Sequence, residues 1–336
     1  MTGPSQLTYV DSSKPGITRR RQGRYWQYFD AKGKRITDRD EIDRLNRIGL
    51  PPAYRDAWFC PNPNGHIQAI GYDDRGRRQY RYHNGFRESQ EAAKYERCRE
   101  FGKVLPKLRR RVAADLRKRS LSRDTVVAAV VRLLDTGCIR VGNEAYAQSN
   151  KSYGATTLRS RHAKVAGRTV KMRFKAKSGI ERDLRITDAT LSRIVKRCQD
   201  LPGQHLFQYL DEDGTPHPVS STDVNDYIRK ATGEDFTAKH FRTWSASVIA
   251  FEQICAAGEE GVGLNALLEP VAEALGNTPA ISRKSYVHPA IVDAVKEAPP
   301  RRLALHCPRP TKYLSSAERG LIAFLGRRTT RKRKAA

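Results

Sequence analysis

Cysteine is sparse in this 336-residue chain, and its cysteines form no recognisable motif. The six cysteines lie tens of residues apart, without a CxxC pair and without a pair of histidines nearby. This spacing predicts neither a structural zinc site nor a disulfide framework, and it is typical of a protein of the reducing cytoplasm.

Long hydrophobic runs are missing as well. The longest apolar stretch, residues 126–135, is interrupted by Arg132 and Asp135, whereas a membrane helix needs about 20 apolar residues. The first ten residues contain no apolar core of a secretory signal. We therefore expect no membrane partner.

Acidic residues are too few to balance the basic ones. The chain has 36 Asp and Glu against 63 Lys and Arg, which gives a net charge of +27 and an isoelectric point of about 10.1. Its apolar fraction of 38%, taken with 24 glycines, approaches the roughly 45% of a globular protein. A folded chain with this charge most simply binds a polyanion such as nucleic acid. The alternative is a basic protein that its charge merely keeps soluble.

Motifs for nucleotides and metals are also absent. No GxxxxGK[ST] segment occurs, so nothing supports ATP-driven chemistry. Residues 211–214 lack the spacing of a calcium loop, and His205 and His217 lie in predicted loops without a third ligand. We expect no cofactor and no metal.

The pattern of the chain predicts an α+β protein. Up to residue 86, short alternating runs at 24–29, 66–72 and 79–83 predict antiparallel strands between turns. From residue 87 to 326 the pattern is mostly helical, apart from a β-hairpin formed by residues 168–174 and 181–186 with Lys177 at its tip. Residues 327–336 are predicted to be a disordered basic tail. Helices are predicted over residues 38–48, 89–103, 106–119, 122–135, 142–150, 188–199, 221–231, 238–256 and 266–275, with a last one after a capping box at Ser315 and Glu318.

Five polar side chains, far apart in the sequence, form a candidate catalytic set for a phosphodiester. A phenol can attack phosphorus, two arginines can bind the non-bridging oxygens, an amide can add a hydrogen bond, and a lysine can protonate the departing oxygen. Such a set needs neither ATP nor a metal, because a phosphotyrosine would conserve the energy of the broken bond. The five are Arg140, Lys177, Arg242, Asn277 and Tyr286.

In this order and at these spacings, the five residues resemble the catalytic set of type IB DNA topoisomerases of the small bacterial and poxvirus kind. Lys239 and Arg242 form the KxxR motif of that family, and Asn277 stands where poxvirus and eukaryotic members carry histidine. The resemblance runs from about residue 20 to residue 320. It implies that Tyr286 is the nucleophile, that Arg140, Arg242 and Asn277 stabilise the phosphate, and that Lys177 is the general acid.

The same resemblance implies DNA contacts in both domains. Residues 76–82 match the base- and phosphate-contacting strand of the family, and Tyr146 lies where the recognition helix carries a DNA-contacting tyrosine. Lys239 is expected to be an auxiliary phosphate contact or a proton-transfer partner. Alternation alone leaves open whether Tyr80 and Tyr82 face the core or DNA. The implied DNA-binding set is Gln79, Tyr80, Tyr82, Asn143, Tyr146 and Lys239.

The resemblance further implies a small β-rich domain and a larger, mostly helical catalytic domain that close as a clamp around duplex DNA. The implied activity relaxes positive and negative supercoils through a 3′-phosphotyrosyl intermediate, strand rotation and religation, without ATP or metal. We expect a monomer that is cytoplasmic and associated with the nucleoid.

Two alternatives remain at this point. A tyrosine recombinase shares the catalytic core, although it typically begins with a helical domain and carries histidine at the position of Lys239. A non-catalytic chromatin or RNA-binding protein would explain the charge alone, and its binding would be indifferent to Tyr286→Phe.

Overall fold

The computed structural model describes residues 7–258, 260–297 and 307–335, with side chains up to residue 327. The chain divides into two compact units, Met1–Lys94 and Tyr95–Ala336. Together they form the α+β protein that the sequence predicts, with an antiparallel sheet first and a mostly helical part after it. In the described part of the chain, no helix is long and apolar enough to cross a bilayer.

A five-stranded antiparallel sheet organises the amino-terminal unit, in the order β2-β1-β3-β4-β5. The predicted strands at 24–29, 66–72 and 79–83 are confirmed as β2, β4 and β5, while β1 and β3 were not predicted. Helix α1 (Arg39–Arg47) begins after Asp38, whose carboxylate accepts the backbone N–H of Asp40 at 3.0 Å. The strands are β1 (Ile17–Gln22), β2 (Tyr25–Phe29), β3 (Arg55–Phe59), β4 (Ile67–Tyr72) and β5 (Arg78–Tyr82).

The core of this unit is small. Its buried members lie on the sheet and on α1 and the segment after it, and they include Ile17, Tyr28, Leu45 and Phe59. Strand β5 pairs only with β4, so its other edge is unpaired in the sheet. Because side chains alternate along a strand and β5 has no buried residue, both faces of this edge strand are at least partly open to solvent.

Helices build the second unit around one large core. The predicted helices from residue 122 onward are confirmed within two residues at most ends, because their capping residues and the helical periodicity of their apolar residues are clear signals. The two short helices between residues 279 and 297 were not predicted. The helices, of which the first begins in the amino-terminal unit, are α2 (Asn84–Asp115), α3 (Arg123–Gly137), α4 (Glu144–Asn150), α5 (Ala189–Gln199), α6 (Ser221–Thr232), α7 (Ala238–Ala257), α8 (Leu264–Leu275), α9 (Pro279–Ser285), α10 (Pro289–Glu297) and α11 (Ser316–Ala335).

The prediction of two helices at 89–103 and 106–119 was wrong, because α2 runs without a break through Pro106. Proline removes one helical hydrogen bond and crowds the preceding turn. Phe101, Leu105 and Leu108 nevertheless lie fully buried on one face of α2, and that burial favours the continuous helix. The boundary predicted at residue 86 falls inside this helix, near its start.

A three-stranded antiparallel sheet in the order β6-β7-β8 packs beside these helices. The predicted hairpin is confirmed as β7 (Thr169–Lys175) and β8 (Glu181–Thr187), and β6 (Ala163–Ala166) adds the third strand. At the hairpin tip, residues Lys177–Gly179 form a 3₁₀ turn in which Ser178 and Gly179 have φ of 66° and 74°. A second small sheet pairs β9 (Gln208–Leu210) with β10 (Pro216–Pro218).

The capping box predicted for the last helix is confirmed. Ser315 Oγ accepts the N–H of Glu318 at 3.1 Å, and Glu318 Oε2 accepts the N–H of Ser315 at 2.8 Å. Helix α11 continues to Ala335, through most of the predicted disordered tail, since arginine and lysine are good helix formers. Only residue 336 of that tail lies outside the described residues.

Candidate active site

Tyr286 directly follows the short helix α9. Thr278 caps this helix, with its hydroxyl accepting the N–H of Ile281 at 3.3 Å, and Pro279 occupies its first turn. The N–H of Tyr286 donates to the carbonyl oxygen of Ser282 at 3.0 Å, as does that of Val287. The tyrosine therefore stands at a fixed backbone position, and its side chain is half-buried.

Arg140 approaches Tyr286 from the loop between α3 and α4. Its Nη2 donates to the hydroxyl oxygen of Tyr286 at 3.2 Å. The carbonyl oxygen of Arg140 accepts the N–H of Ala155 at 2.9 Å. Two glycines make this crossing of chains possible: a Cβ on Gly154 would lie 2.6 Å from the Arg140 carbonyl oxygen, and Gly142 has a φ of +107°. Because Gly142 and Gly154 have no side chains, the two backbone segments approach closely, and this contact holds the loop that carries Arg140.

Arg242 lies on the first turns of α7 and is only 5% exposed. It donates to the carbonyl oxygens of Cys138, through Nη1, and of Leu275, through Nη2 at 3.1 Å. Its guanidinium carbon lies 4.8 Å from the ring centre of Tyr286, a favourable cation–π distance. Its Nε is buried and has no hydrogen-bond partner among the described residues.

Asn277 completes this group from the turn after α8. With its amide oxygen toward Arg242, it accepts from Nη2 at 3.1 Å and donates to the carbonyl oxygen of Gly276 at 3.1 Å. The same amide lies 3.5 Å from Nη2 of Arg140. The structure therefore brings together four of the five predicted catalytic side chains, namely Arg140, Arg242, Asn277 and Tyr286.

The two arginines change the acidity of the phenol. Burial by itself would raise the pKa of Tyr286, but the charges of Arg242 and Arg140 and the hydrogen bonds that they donate outweigh it, and the pKa falls below its ordinary value of 10. Burial, together with the nearby charge of Arg140, lowers the pKa of Arg242. The electrostatics of the site thus favour negative charge on the Tyr286 oxygen.

Lys177 is the fifth predicted catalytic residue, and the structure does not bring it to the other four. It is exposed at the tip of the β7–β8 hairpin. In the described chain no hydrogen bond joins its ammonium to the Tyr286 group. Lys239 is likewise exposed, one turn before the buried Arg242 on α7.

Sequence reasoning missed Arg182, which lies near the same hairpin tip. Its Nη1 donates to the carbonyl oxygen of Glu273 at 2.9 Å and its Nη2 to that of Ala274 at 2.7 Å, both at the end of α8. One more basic residue on an alternating strand gives no signal of such contacts. Only its distance of five residues from Lys177 could have drawn attention to it.

The DNA-contact candidates of the second unit lie on and beside helix α4. Asn143 caps that helix, with its Oδ1 accepting the N–H of Tyr146 at 3.1 Å. The side chain of Tyr146 is 47% exposed. The structure thus gives Asn143 a capping contact and leaves the tyrosine ring accessible.

The candidates of the amino-terminal unit lie on the edge strand β5. The rings of Tyr80 and Tyr82 stack at 5.8 Å and are 39% and 40% exposed, so they are not core residues. Gln79 donates to Asp73 Oδ2 at 2.9 Å. Hydrogen bonds, chiefly from the side chain of Arg77, hold the pKa of the Asp73 carboxyl at about 2.

No group of three or more His, Cys, Asp or Glu side chains is arranged to hold a metal ion within the described ranges. The acidic residue nearest Arg140 in sequence, Glu144, is engaged elsewhere. It accepts from Arg159 at 2.7 Å and pairs with His205 at 3.2 Å.

Comparison with known proteins gives matches along most of the chain. The family described as "Eukaryotic DNA topoisomerase I, catalytic core" matches residues 83–298, and "Bacterial DNA topoisomerase IB, N-terminal domain" matches residues 25–73. A DNA topoisomerase 1B of Acanthamoeba polyphaga mimivirus is 32% identical over 286 residues, which cover 81% of this chain and 85% of that protein. The DNA topoisomerase 1B of Vaccinia virus (strain Copenhagen) is 21% identical over 232 residues, 68% of this chain and 72% of its own.

Among solved structures, a XerH site-specific recombinase bound to its difH substrate aligns at a TM-score of 0.36 and 14% identity. The alignment covers 55% of this chain and 49% of the recombinase. Because that overlap is loose, the assignment depends on the sequence matches. The match to the catalytic core over residues 83–298 and the 32% identity to the mimivirus enzyme show that the chain belongs to the type IB DNA topoisomerase family.

Proposed function

We propose that this protein relaxes supercoiled duplex DNA by cutting and resealing one strand through a covalent link to Tyr286, without ATP or a metal. The observation that carries the proposal is the contact between Nη2 of Arg140 and the hydroxyl oxygen of Tyr286 at 3.2 Å, with Arg242 stacked on the same ring. A phenol held between two guanidinium groups is suited to attack an anionic phosphate. Membership of the family supports the same reaction.

Charge stabilisation is the main contribution that we assign to the arginines. As Tyr286 attacks, negative charge builds on the non-bridging oxygens, and Arg140 and Arg242 are the cations next to the nucleophile. Donors that are already in place need not reorient when the charge develops, so no reorganisation energy is lost. Arg242 has a spare buried donor in its Nε, and Asn277 adds an amide beside it.

The covalent step conserves the phosphodiester. The Tyr286 phenol loses its proton to solvent and its oxygen forms a bond to phosphorus, while the bond from phosphorus to the 5′-oxygen breaks and Lys177 gives that oxygen a proton. The 3′ end then stays linked to the enzyme while the free 5′ end rotates about the intact strand. Attack of the 5′-hydroxyl on the phosphotyrosine reverses the step and releases Tyr286.

DNA binding is assigned to both units. The net charge of +27 favours association with the phosphate backbone. In the amino-terminal unit the exposed rings of Tyr80 and Tyr82 are available to DNA, and Gln79 directly precedes Tyr80 in the sequence. In the second unit Tyr146 and Lys239 are exposed, and Asn143 supports the helix that carries Tyr146. We expect a monomer to be sufficient, because one chain supplies the whole set.

The test is incubation with negatively supercoiled plasmid in EDTA without ATP, followed by agarose electrophoresis. We expect a ladder of closed, relaxed topoisomers with the wild-type protein. The matched control is Tyr286→Phe, which removes one oxygen: it should bind duplex DNA with an affinity close to that of the wild type and relax nothing. Relaxation by Tyr286→Phe would overturn the assignment of the nucleophile. Plasmid that is shifted on a native gel but keeps its supercoils would show binding without chemistry.

A further inference from the structure

The hairpin that carries Lys177 is fastened close to its tip. Strands β7 and β8 pair in register up to Lys175 opposite Glu181, and Phe174 lies opposite Arg182. Beyond that pair, the chain turns through Lys177–Gly179, and the N–H of Ala176 donates to the carbonyl oxygen of Ile180 at 2.8 Å. Among the described residues of this hairpin, Arg182 is the one nearest the exposed turn whose side chain hydrogen-bonds to another element.

The contact is with the carboxyl end of α8. Arg182 donates one nitrogen to the carbonyl oxygen of Glu273 at 2.9 Å and the other to that of Ala274 at 2.7 Å. Arg242 donates to the next carbonyl oxygen, that of Leu275, at 3.1 Å. The last carbonyl groups of a helix lack helical partners and carry partial negative charge, so both arginines are well placed there.

The guanidinium group of Arg182 also packs closely on Gly276, the residue before Asn277. A Cβ on Gly276 would lie 2.8 Å from Nη1 of Arg182, and Gly276 has a φ of +62°, which favours glycine. Arg182 is half-buried. The geometry thus gives one end of α8 two arginine contacts, one from the hairpin of Lys177 and one from the helix of Arg242.

We propose that Arg182 is a positioning residue that ties the hairpin tip, and with it Lys177, to the end of α8 beside Asn277. This inference rests on the proposed function, since it matters to the reaction only if Lys177 protonates the leaving oxygen. A lysine on a free hairpin would sample many positions. A contact of both arginine nitrogens with α8, three residues beyond the turn, limits the positions that Lys177 reaches.

The substitution that tests it is Arg182→Ala, with Arg182→Lys as a conservative variant and Arg185→Ala as a matched control. Arg185 is an exposed arginine on the same strand, and its side chain makes no hydrogen bond to α8 in the described structure. Single-turnover cleavage would be measured on a duplex oligonucleotide. We expect Arg182→Ala to slow cleavage about 10- to 100-fold, part of the usual effect of a general acid. Arg182→Lys should be intermediate, and Arg185→Ala unchanged.

A second substrate separates the action through Lys177 from a general loss of structure. If sulfur replaces the bridging 5′-oxygen at the scissile phosphate, the leaving group is a thiolate, whose conjugate acid has a pKa of about 8.5, and it needs no proton. On this substrate Arg182→Ala and Lys177→Ala should both cleave close to the wild-type rate. On the oxygen substrate, Arg182→Ala should add little to the defect of Lys177→Ala, because residues that act as a unit are non-additive.

Other outcomes would overturn the inference. A defect of Arg182→Ala that persists on the sulfur substrate would mean that Arg182 acts through Asn277 and Arg242 instead. If Lys177→Ala itself is not rescued by sulfur, the proposed role of Lys177 as the general acid fails. The tether, meaning the contact by which Arg182 holds the hairpin tip to α8, is not refuted by that result. The tether has a readout that needs no activity: amide hydrogen exchange at Ala176 and Gly179 should become several-fold faster in Arg182→Ala and stay unchanged in Arg185→Ala. Unchanged exchange would refute the tether.

Discussion

Arg242 holds its guanidinium carbon 4.8 Å from the ring centre of Tyr286 while it donates to the carbonyl oxygens of Cys138 and Leu275. Cys138 begins the loop that carries Arg140, and Leu275 ends the helix that precedes Asn277. One buried side chain therefore touches the segments that supply the other members of the Tyr286 group.

The first prediction concerns Arg242→Lys. A lysine keeps the charge, but its single ammonium cannot reproduce the planar fork that spans two carbonyl oxygens. Loss of one preorganised donor typically slows chemistry about 100-fold or more, and we expect single-turnover cleavage to slow by that factor while DNA affinity changes little. Arg185→Lys, the same exchange at an exposed arginine without an assigned role in the site, is the control and should cleave normally. Full activity of Arg242→Lys would show that the fork is dispensable.

The second prediction concerns the pH dependence of cleavage. The charges of Arg242 and Arg140 lower the pKa of Tyr286 from its ordinary value of 10, so the rate should rise with pH with a midpoint below pH 10. Arg140→Gln removes a positive charge, which disfavours the phenolate and raises the pKa. We expect its pH–rate midpoint to move upward, whatever the rate at the plateau. Arg185→Gln should leave the midpoint in place, and an unmoved midpoint in Arg140→Gln would contradict this account.

The fold could be predicted from the sequence where local patterns are strong. The alternation of residues 168–174 and 181–186 and the apolar period of residues 238–256 each determine one element, and both are confirmed. The continuity of helix α2 through Pro106 could not be predicted, because proline is a local signal against a helix and the burial of Phe101 and Leu108 that overrides it is tertiary.

The site, like the fold, could be predicted only in part. Residue type and order suggested Arg140, Arg242, Asn277 and Tyr286, and the structure brings them together. The contact of Arg182 with two carbonyl oxygens of α8 left no trace in the sequence, since it depends on a hairpin reaching a helix end 91 residues away. Backbone carbonyls carry no sequence signal.

The third prediction concerns the place beside Arg140 where two backbone segments, at Gly142 and Gly154, cross in close contact. In Gly154→Ala the new Cβ would lie 2.6 Å from both the Arg140 carbonyl oxygen and the Gly142 nitrogen, and neither backbone atom can easily move away. We expect unfolding free energy to fall by about 1–3 kcal/mol and cleavage to slow, because the loop of Arg140 is displaced. Gly263→Ala is the control: its φ is −70° and no atom lies within 4 Å of the new Cβ. Wild-type cleavage by Gly154→Ala would show that the crossing does not position Arg140.

The fourth prediction concerns Glu318 of α11, whose side chain contacts residues of α2 and α7. Its carboxylate accepts from Arg109 at 2.7 and 2.8 Å and from Trp244 Nε1 at 3.0 Å, and its side chain is 8% exposed. Removing one partner of a buried pair typically costs about 3 kcal/mol or more. Glu318→Gln should lose about that much in urea denaturation. Glu100→Gln, which breaks a pair with Lys103 at a 52% exposed side chain, should lose less than about 1 kcal/mol.

Acid adds a test of the same carboxylate. Burial alone would raise the pKa of Glu318, but the hydrogen bonds and charge of Arg109 outweigh it and hold that pKa below 4.5. A carboxyl with a lower pKa in the folded state stabilises the protein above its unfolded pKa, and this stabilisation is lost as the pH falls through the folded pKa. The difference in unfolding free energy between wild type and Glu318→Gln should therefore be largest near neutral pH and shrink below about pH 4.3. A difference that stays constant from pH 7 to pH 3 would mean that the charge of Glu318 does not stabilise the fold.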